Sequence, residues 1–523
     1  MSSPVKYPIG IQEFEKLRSE GFLYVDKTAL IKQMVQEGCY YFLSRPRRFG
    51  KSLLLSTIHA YFEGKRELFH GLAIDTDDVS WKAHPVLHLD LNSQKYDKKE
   101  RLNYVLSEFL SVEEHKYGII AEGDNYGPRF CNVIRKAYEQ TGKRVVILID
   151  EYDKPMLDVL GTEMEEKNRN TLKGFYGTFK AADASLRFVL LTGVTKFSQV
   201  SVFSGFNQAK DISMDDKYEA ICGITEVELY QYFSSAIEEM AQNTKRTVAE
   251  MKALLKKKYD GYHFSRRMTD IYNPFSIINA FDSLRIDDYW YRSGTPTYLA
   301  RLLEGANVNI QKLIAKSYTP SYFVDYRADA EDPLAMLYQS GYLTIKGYDE
   351  AYNEYLLDFP NDEVSSGFML LTANSYFGKI EERPDSWVTG LNRMLLACDL
   401  EGVRDAFTSF LASIPYEANK DERAKDFETH FSYTFYIINR LLGCYTTLIE
   451  KQNSKGRADV IIESVNDIFI FEFKLDGSAS EALAQIDQMQ YALPYLNDGR
   501  EIHKIGVNIS SVSRTVDEWI VEG

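Results

Sequence analysis

The sequence predicts an α/β chain with two separate sheets, one toward each end, and a mainly helical stretch between them. Three observations carry this prediction. Short apolar runs at 40–43, 86–91, 145–149 and 187–192 are spaced by stretches suited to helices, the layout of a parallel sheet. A second pair of strand-like runs, ADVIIE from Ala458 and IFIFEFK from Ile468, lies near the other end. Residues from about 226 to 380 read mainly as helices. The expected domains are therefore 1–225, 226–385 and 386–523.

The first sheet carries polar clusters where its strands end. Tyr40 to Leu43 leads into Ser44-Arg45-Pro46-Arg47-Arg48-Phe49-Gly50-Lys51-Ser52, then into the helix-like LLLSTIHAYF. Strand, loop ending in Gly-Lys-Ser and helix is the layout of a P-loop, or Walker A motif. Its backbone N–H groups cradle phosphates, its Lys reaches the terminal ones and its Ser holds Mg²⁺. The candidate nucleotide contacts are Arg48, Gly50, Lys51 and Ser52. The pattern calls for a glycine five residues before Gly50, and Arg45 stands there, followed by Pro46. Arg144 to Asp150 (RVVILID), followed by Glu151, reads as a Walker B strand. Asp150 is placed to hold Mg²⁺ through water, and Glu151 to polarise the attacking water. Arg187 to Thr192 (RFVLLT) ends in a hydroxyl that either senses a γ-phosphate or is buried and satisfied. All three clusters fall at strand C-terminal ends, where open parallel sheets bind ligands. The implied cofactor is ATP with Mg²⁺ (or Mn²⁺).

In the middle, Glu226 to Ala241 and Val248 to Tyr259 are amphipathic helix candidates. Asp332 to Ser340 reads as a helix leading into Gly341-Tyr342-Leu343-Thr344-Ile345, a polar turn and Tyr355 to Phe359. Helix followed by β-hairpin resembles a winged helix, which either binds DNA or packs as a lid on a nucleotide domain. Glu381 to Asp385 reads as a boundary, and Trp387 to Pro415 as helical again.

Near the C-terminus the bare pattern is Asp459, twelve residues, then Glu472-Phe473-Lys474. Glu-x-Lys also occurs at Glu63, Glu114, Glu165 and Glu250, all in polar, helical-looking stretches. The last copy differs because it lies on a strand. Alternation sends Glu472 and Lys474 to one face, Phe471 and Phe473 to the other, while Asp459 opens the paired strand. Ser464-Val465-Asn466-Asp467 reads as the hairpin connection. Two carboxylates and a substrate phosphate suit Mg²⁺, which activates water and offsets leaving-group charge. A neighbouring lysine orients the water or steadies developing negative charge. An exposed ion pair on a sheet edge is the other reading of the same residues. The flanks read as a helix over Phe427 to Leu442, a strand at Thr446 to Glu450, a helix over Ser480 to Leu496 and a strand at Lys504 to Ser510.

Helix, three strands, helix and strand is the order of the PD-(D/E)XK nuclease superfamily, which this segment resembles. The resemblance implies metal-binding Asp459 and Glu472 and a catalytic Lys474. It also implies a first-helix glutamate, Glu428, which is equally explained as an N-terminal charge favoured by the helix dipole. Gln485 resembles the glutamine borne on a helix of those nucleases, or is a solvent-facing residue. YVDKT at 24–28, RPRRFGKS at 45–52, LIDEYDKP at 148–155, TGVTKFS at 192–198, YDGYHF at 259–264, YNPFS at 272–276 and QSGYLTIK at 339–346 extend the resemblance to nearly the whole chain. Together they are similar to the bacterial AAA-ATPase-like proteins with a C-terminal PD-(D/E)XK nuclease domain, in which Arg also replaces the first P-loop glycine. The resemblance implies an ATP-regulated, metal-dependent nuclease acting on DNA (or RNA). The alternatives are a nucleotide-dependent switch, and an ATPase whose last domain only binds nucleic acid or a protein.

Bulk properties narrow the partners. A net charge of −15 argues against DNA binding over the whole surface and requires a local basic track. Candidates are Arg45, Arg47 and Arg48, the run Lys256 to Lys258, Arg266-Arg267, and Lys451 to Arg457, each read as a solvated face before a groove. The 36 Tyr and 30 Phe suit core packing or base stacking. Five cysteines without metal spacing, no signal-like N-terminus and no long apolar run point to a reduced, cytoplasmic protein without a membrane span. A homo-oligomer is compatible with all of this.

Overall fold

The computed structural model describes residues 5–523 except 99, 121–122, 124, 198–207, 294–309, 315, 325–332, 377–383, 414–435, 439, 443–446, 449–451, 454–455, 458 and 514. The chain forms two compact units, Met1–Val364 and Ser365–Gly523. The sequence reading places boundaries at 225 and 385, whereas compactness groups everything up to Val364 with the nucleotide-type sheet.

The first unit is built on a parallel sheet of β1 (Tyr40–Ser44), β2 (Val86–Asp90), β3 (Val145–Asp150), β4 (Leu186–Gly193) and β5 (Lys210–Asp211), in the order β2-β3-β4-β1-β5. β3 is buried along its whole length, as a strand covered on both faces must be, which explains its unbroken VVILI run. The helix Lys51–Phe62 packs on β2, β3 and β4. Helices Arg101–Lys116 and Tyr126–Thr141 pair with each other, and Glu163–Tyr176 packs on the second. The two-residue β5 has no apolar run of its own, so its sequence does not announce it.

The expected helices after residue 225 form as Glu226–Asn243 and Val248–Tyr259. Each opens on a capping box, Thr225 with Glu228 and Thr247 with Glu250, which satisfies amides the helix cannot bond internally. A short pair, β6 (Ile224–Thr225) and β7 (Ile271–Tyr272), precedes a third helix, Pro274–Ser283, capped by Asn273. Leu229, Phe233, Ile237, Met240, Leu255 and Phe281 form their shared core. Helix Leu334–Gln339 then leads to β9 (Thr344–Asp349) and β10 (Glu354–Asp358), with β8 (Ser317–Tyr318) on the outer side of β10.

Helix Asp362–Tyr376 runs across the division into the second unit, where helices Pro384–Leu396 and Leu400–Ser413 follow. Its sheet contains β11 (Thr447–Leu448), β14 (Val460–Glu463), β15 (Asp467–Leu475), β16 (Glu501–Ile509) and β17 (Val516–Glu522), in that order. A small pair, β12 (Gln452–Asn453) and β13 (Gly456–Arg457), stands apart from it. β14 and β15 form the expected antiparallel hairpin, and β16 runs parallel to β15. Helix Ala479–Gln488 crosses this sheet and buries Leu483 and Ile486 against Ile461, Ile468 and Ile470.

Candidate functional site

The phosphate-type loop takes its shape from a buried arginine. Arg45 is 1% exposed, and its guanidinium turns inward, not toward solvent. Nη1 donates to the Ser213 carbonyl at 2.7 Å, and Nη2 donates to the Tyr218 and Glu219 carbonyls at 3.3 Å each. The group lies 4.1 Å over the Phe264 ring. The position that usually needs a flexible glycine is thus fixed from behind by a planar cation. At the other end of the loop, Gly50 has φ 92° and caps the helix that begins at Lys51, a turn that a side chain would strain.

Lys51 is enclosed by its own loop. Its Nζ donates to the carbonyls of Arg45 at 3.1 Å and Pro46 at 3.3 Å, and pairs with Glu151 Oε1 at 3.3 Å. Glu151 follows β3 with φ 52°, a left-handed conformation that sends its side chain off the strand axis. Because β4 lies between β1 and β3, hydroxyls from two directions converge on Asp150. Ser52 Oγ donates to its Oδ2 at 2.5 Å, and Thr192 Oγ1 donates to its Oδ1 at 2.6 Å. Thr192 is fully buried and donates its hydroxyl proton to Asp150.

A cleft of about 350 Å³ opens in front of the loop. Arg47, Arg48, Lys51, Ser52, Glu151 and Lys154 contribute its polar wall, while Pro274, Phe275 and Ile278 form an apolar one. The Arg48 guanidinium lies 5.0 Å over the Phe275 ring. An adjoining apolar cavity of about 90 Å³ is lined by Leu23, Val25, Leu53, Ile221, Ile224 and Phe233 among others.

Residues outside the motifs hold this loop. Trp290 Nε1 donates to the Arg47 carbonyl at 3.2 Å. The Trp290 backbone N–H donates to buried Glu363 at 2.6 Å, and Ser276 Oγ donates to the same carboxylate at 2.6 Å. Gly341, at φ 88°, presses on Pro46, whose ring atoms would lie 2.7 Å from an added Cβ. Asp153 is fully buried and accepts from the backbone N–H groups of Val194 at 3.0 Å and Thr195 at 2.6 Å, fixing the turn after β4. Asp153 lies in the LIDEYDKP run, three residues past Asp150; the sequence reading does not single it out, because its partners lie some 40 residues further along the chain.

In the second unit, Asp459, Glu472, Lys474 and Gln485 come together. The hairpin register pairs Val460 with Phe471, which sets Asp459 beside Glu472. Asp459 Oδ2 accepts from the Phe473 N–H at 2.9 Å, and the Asp459 backbone bonds the Glu472 carboxylate. Lys474 Nζ stands 3.4 Å from Glu472 Oε1 and also donates to Gln485 Oε1. Gln485 bonds Tyr491 as well, so the helix locks the lysine from the side. Phe471 and Phe473 stack on the opposite face of β15, as strand alternation requires. Glu428 lies outside the described residues.

Glu472 is the telling group. It is 2% exposed, and its Oε2 is buried without a hydrogen-bond partner among the described residues. Burial first, and the Asp459 charge second, push its carboxyl up to about 7, with Lys474 opposing them. A buried carboxylate oxygen without a donor, next to a second carboxylate, fits a divalent cation. Ser52 and Asp150, in contact through one hydrogen bond, are an oxygen donor set of the kind that Mg²⁺ takes beside a nucleotide.

Comparison with known proteins agrees with both halves. Residues 8–203 match the family model of a predicted AAA-ATPase, and residues 426–519 match that of the PD-(D/E)XK nuclease superfamily. Over 527 residues the chain is 35% identical to an "uncharacterized protein in vnfD 5' region" of Azotobacter chroococcum mcd 1, covering 99% of this chain and 99% of that protein. No helix among the described residues is long and apolar enough to cross a membrane.

Proposed function

Because the chain belongs to the family of AAA-ATPase-like proteins that end in a PD-(D/E)XK nuclease domain, we propose that it is an ATP-regulated, metal-dependent nuclease acting on DNA or RNA. The observation that carries this reading is the unpartnered, buried Oε2 of Glu472 beside Asp459 and Lys474. A surface ion pair would not leave a carboxylate oxygen in that state, because water would satisfy it.

Asp459 and Glu472 hold Mg²⁺ or Mn²⁺. The metal, when bound, supplies an activated water and charge neutralisation at the scissile phosphate. Lys474 orients the attacking water and stabilises charge developing on the phosphate oxygens. Gln485 keeps Lys474 on that side of the strand. In the first unit, Lys51 exchanges its loop carbonyls and Glu151 for nucleotide phosphates. Asp150 and Ser52 hold the accompanying Mg²⁺, and Glu151, released from Lys51, polarises water. Arg48 and Phe275 border the nucleotide, and the adjoining apolar cavity receives part of its base.

The test is incubation of the purified full-length protein with plasmid, linear and single-stranded DNA and with RNA. Mg²⁺ or Mn²⁺ is supplied, with and without ATP. Cleavage that responds to ATP is expected. Asp459→Ala and Lys474→Ala should abolish it and leave ATP binding intact. Cleavage that survives both substitutions overturns the site assignment, and DNA-stimulated ATP turnover without strand loss overturns the nuclease reading.

A further inference from the structure

We propose that Cys398, Asp467 and His503 form a Zn²⁺ site in the second unit, separate from the nuclease-type carboxylates. The three come from different elements. Cys398 lies in the turn between helices Pro384–Leu396 and Leu400–Ser413, Asp467 opens β15, and His503 lies within β16. Their ligand atoms all fall within 4.8 Å of one another. Cys398 Sγ is 3.5 Å from His503 Nε2, and the same nitrogen is 3.0 Å from Asp467 Oδ1.

That shared nitrogen distinguishes the possible roles. In a thiol nucleophile triad the thiol faces one ring nitrogen and the carboxylate orients the other. Here both face Nε2, so the carboxylate does not orient the ring from the other nitrogen as a triad requires. Ligands of one tetrahedral zinc ion, bonded at about 2.0–2.3 Å, stand roughly 3.3–3.7 Å apart; the thiol–imidazole spacing of 3.5 Å falls in that range, and the imidazole–carboxylate spacing of 3.0 Å would open slightly on binding. Sulfur, imidazole nitrogen and a single carboxylate oxygen form a set suited to Zn²⁺ and poorly suited to Mg²⁺. Thiolate and carboxylate together balance the charge of the ion, and water completes the fourth position.

The surroundings hold the ligands in place. The His503 ring stacks on Phe469 with centroids 5.0 Å apart, which fixes its plane. Ser464 Oγ accepts from the Asp467 N–H at 2.9 Å and lies 3.3 Å from Oδ2, leaving Oδ1 to face the histidine. His503 is buried, Asp467 partly so and Cys398 exposed, so an ion can enter from the cysteine side. Cys398 itself sits at φ 54°, a left-handed conformation that a non-glycine residue adopts at some cost and that metal ligation offsets. Asp467 and Glu472 are at opposite parts of the same strand, about 17 Å apart along it. The ion therefore ties the helical turn to the sheet and takes no part in phosphodiester chemistry.

The full-length protein, stripped with chelator and titrated with Co²⁺, should develop a thiolate-to-cobalt charge-transfer band that saturates at one ion per chain and disappears on adding Zn²⁺. Cys398→Ser should lose the band, and Asp467→Asn should need more Co²⁺ to reach it. Cys39→Ser and Asp459→Ala should keep it, which separates this site from other thiols and from the nuclease carboxylates. Circular dichroism confirms folding of each variant, and the exposed position of Cys398 favours it. Absence of the band in the wild type, its persistence in folded Cys398→Ser, or a Cys398 thiol labelled equally fast with and without Zn²⁺ would overturn the proposal.

Discussion

Glu472 is kept out of water with one oxygen unbonded, and a pH dependence follows. Its carboxyl titrates near 7 in the folded metal-free protein, against an ordinary 4.5. Below about pH 4.5 both folded and unfolded states hold the proton and no cost arises. As pH rises toward 7 the unfolded state ionises first, so the folded state loses stability, and above 7 the whole cost is present. Glu472→Gln should therefore stabilise the metal-free protein against urea at about pH 8, by a few kcal/mol at most, with a smaller gain at about pH 5. The same proton competes with metal. Mn²⁺ affinity measured by calorimetry should fall by up to about tenfold per pH unit below 7 in the wild type. Gln485→Ala, which frees Lys474 without removing it, should slow cleavage about 10–100-fold with little change in substrate KM. The triplet was readable in the sequence because alternation along IFIFEFK separates it from the four Glu-x-Lys copies on helical stretches. The Cys398, Asp467 and His503 cluster was not, because its members are scattered through the chain and share no ligand-type spacing.

Elements carry the next level of the argument. The four main strands of the first sheet were legible from apolar runs ending in polar clusters, but their order was not. Placing β4 between β1 and β3 is what delivers Ser52 and Thr192 to the two oxygens of Asp150. β17 also escaped the sequence reading. It is an edge strand, largely exposed, and VDEWIVE carries too many charges to look like the apolar strands beside it. The segment after helix Leu334–Gln339 was expected to be a hairpin, and it is. Its unforeseen contribution is Gly341, whose bare Cα meets Pro46 in the phosphate-type loop. Gly341→Ala should lower the unfolding free energy of the transition that includes the first unit, measured by urea denaturation, by about 2–4 kcal/mol, because it adds both a left-handed alanine and a clash. It should also weaken binding of a fluorescent ATP analogue more than a substitution on the exposed hairpin tip at Tyr352 does.

At the scale of the whole molecule, two units, each with its own candidate site, are joined in one acidic chain. With a net charge of −15, attraction to nucleic acid must come from a few local cations, so affinity should fall steeply with salt. Lys51→Ala should abolish ATP binding, and in the ATP-regulated reading it should leave cleavage fixed at one level whether or not ATP is added. Gel assays across an ATP titration measure both. Arg45 has a further consequence for how such a chain can change over time. Its guanidinium is bound by carbonyls of residues 213, 218 and 219 and stacked on Phe264, so two distant stretches of sequence depend on one side chain. Reverting it to the glycine of the common motif would leave those carbonyls facing a void. A glycine at this position in this chain would therefore call for matching changes in the strand-end loop near 213–219 and in the aromatic at 264.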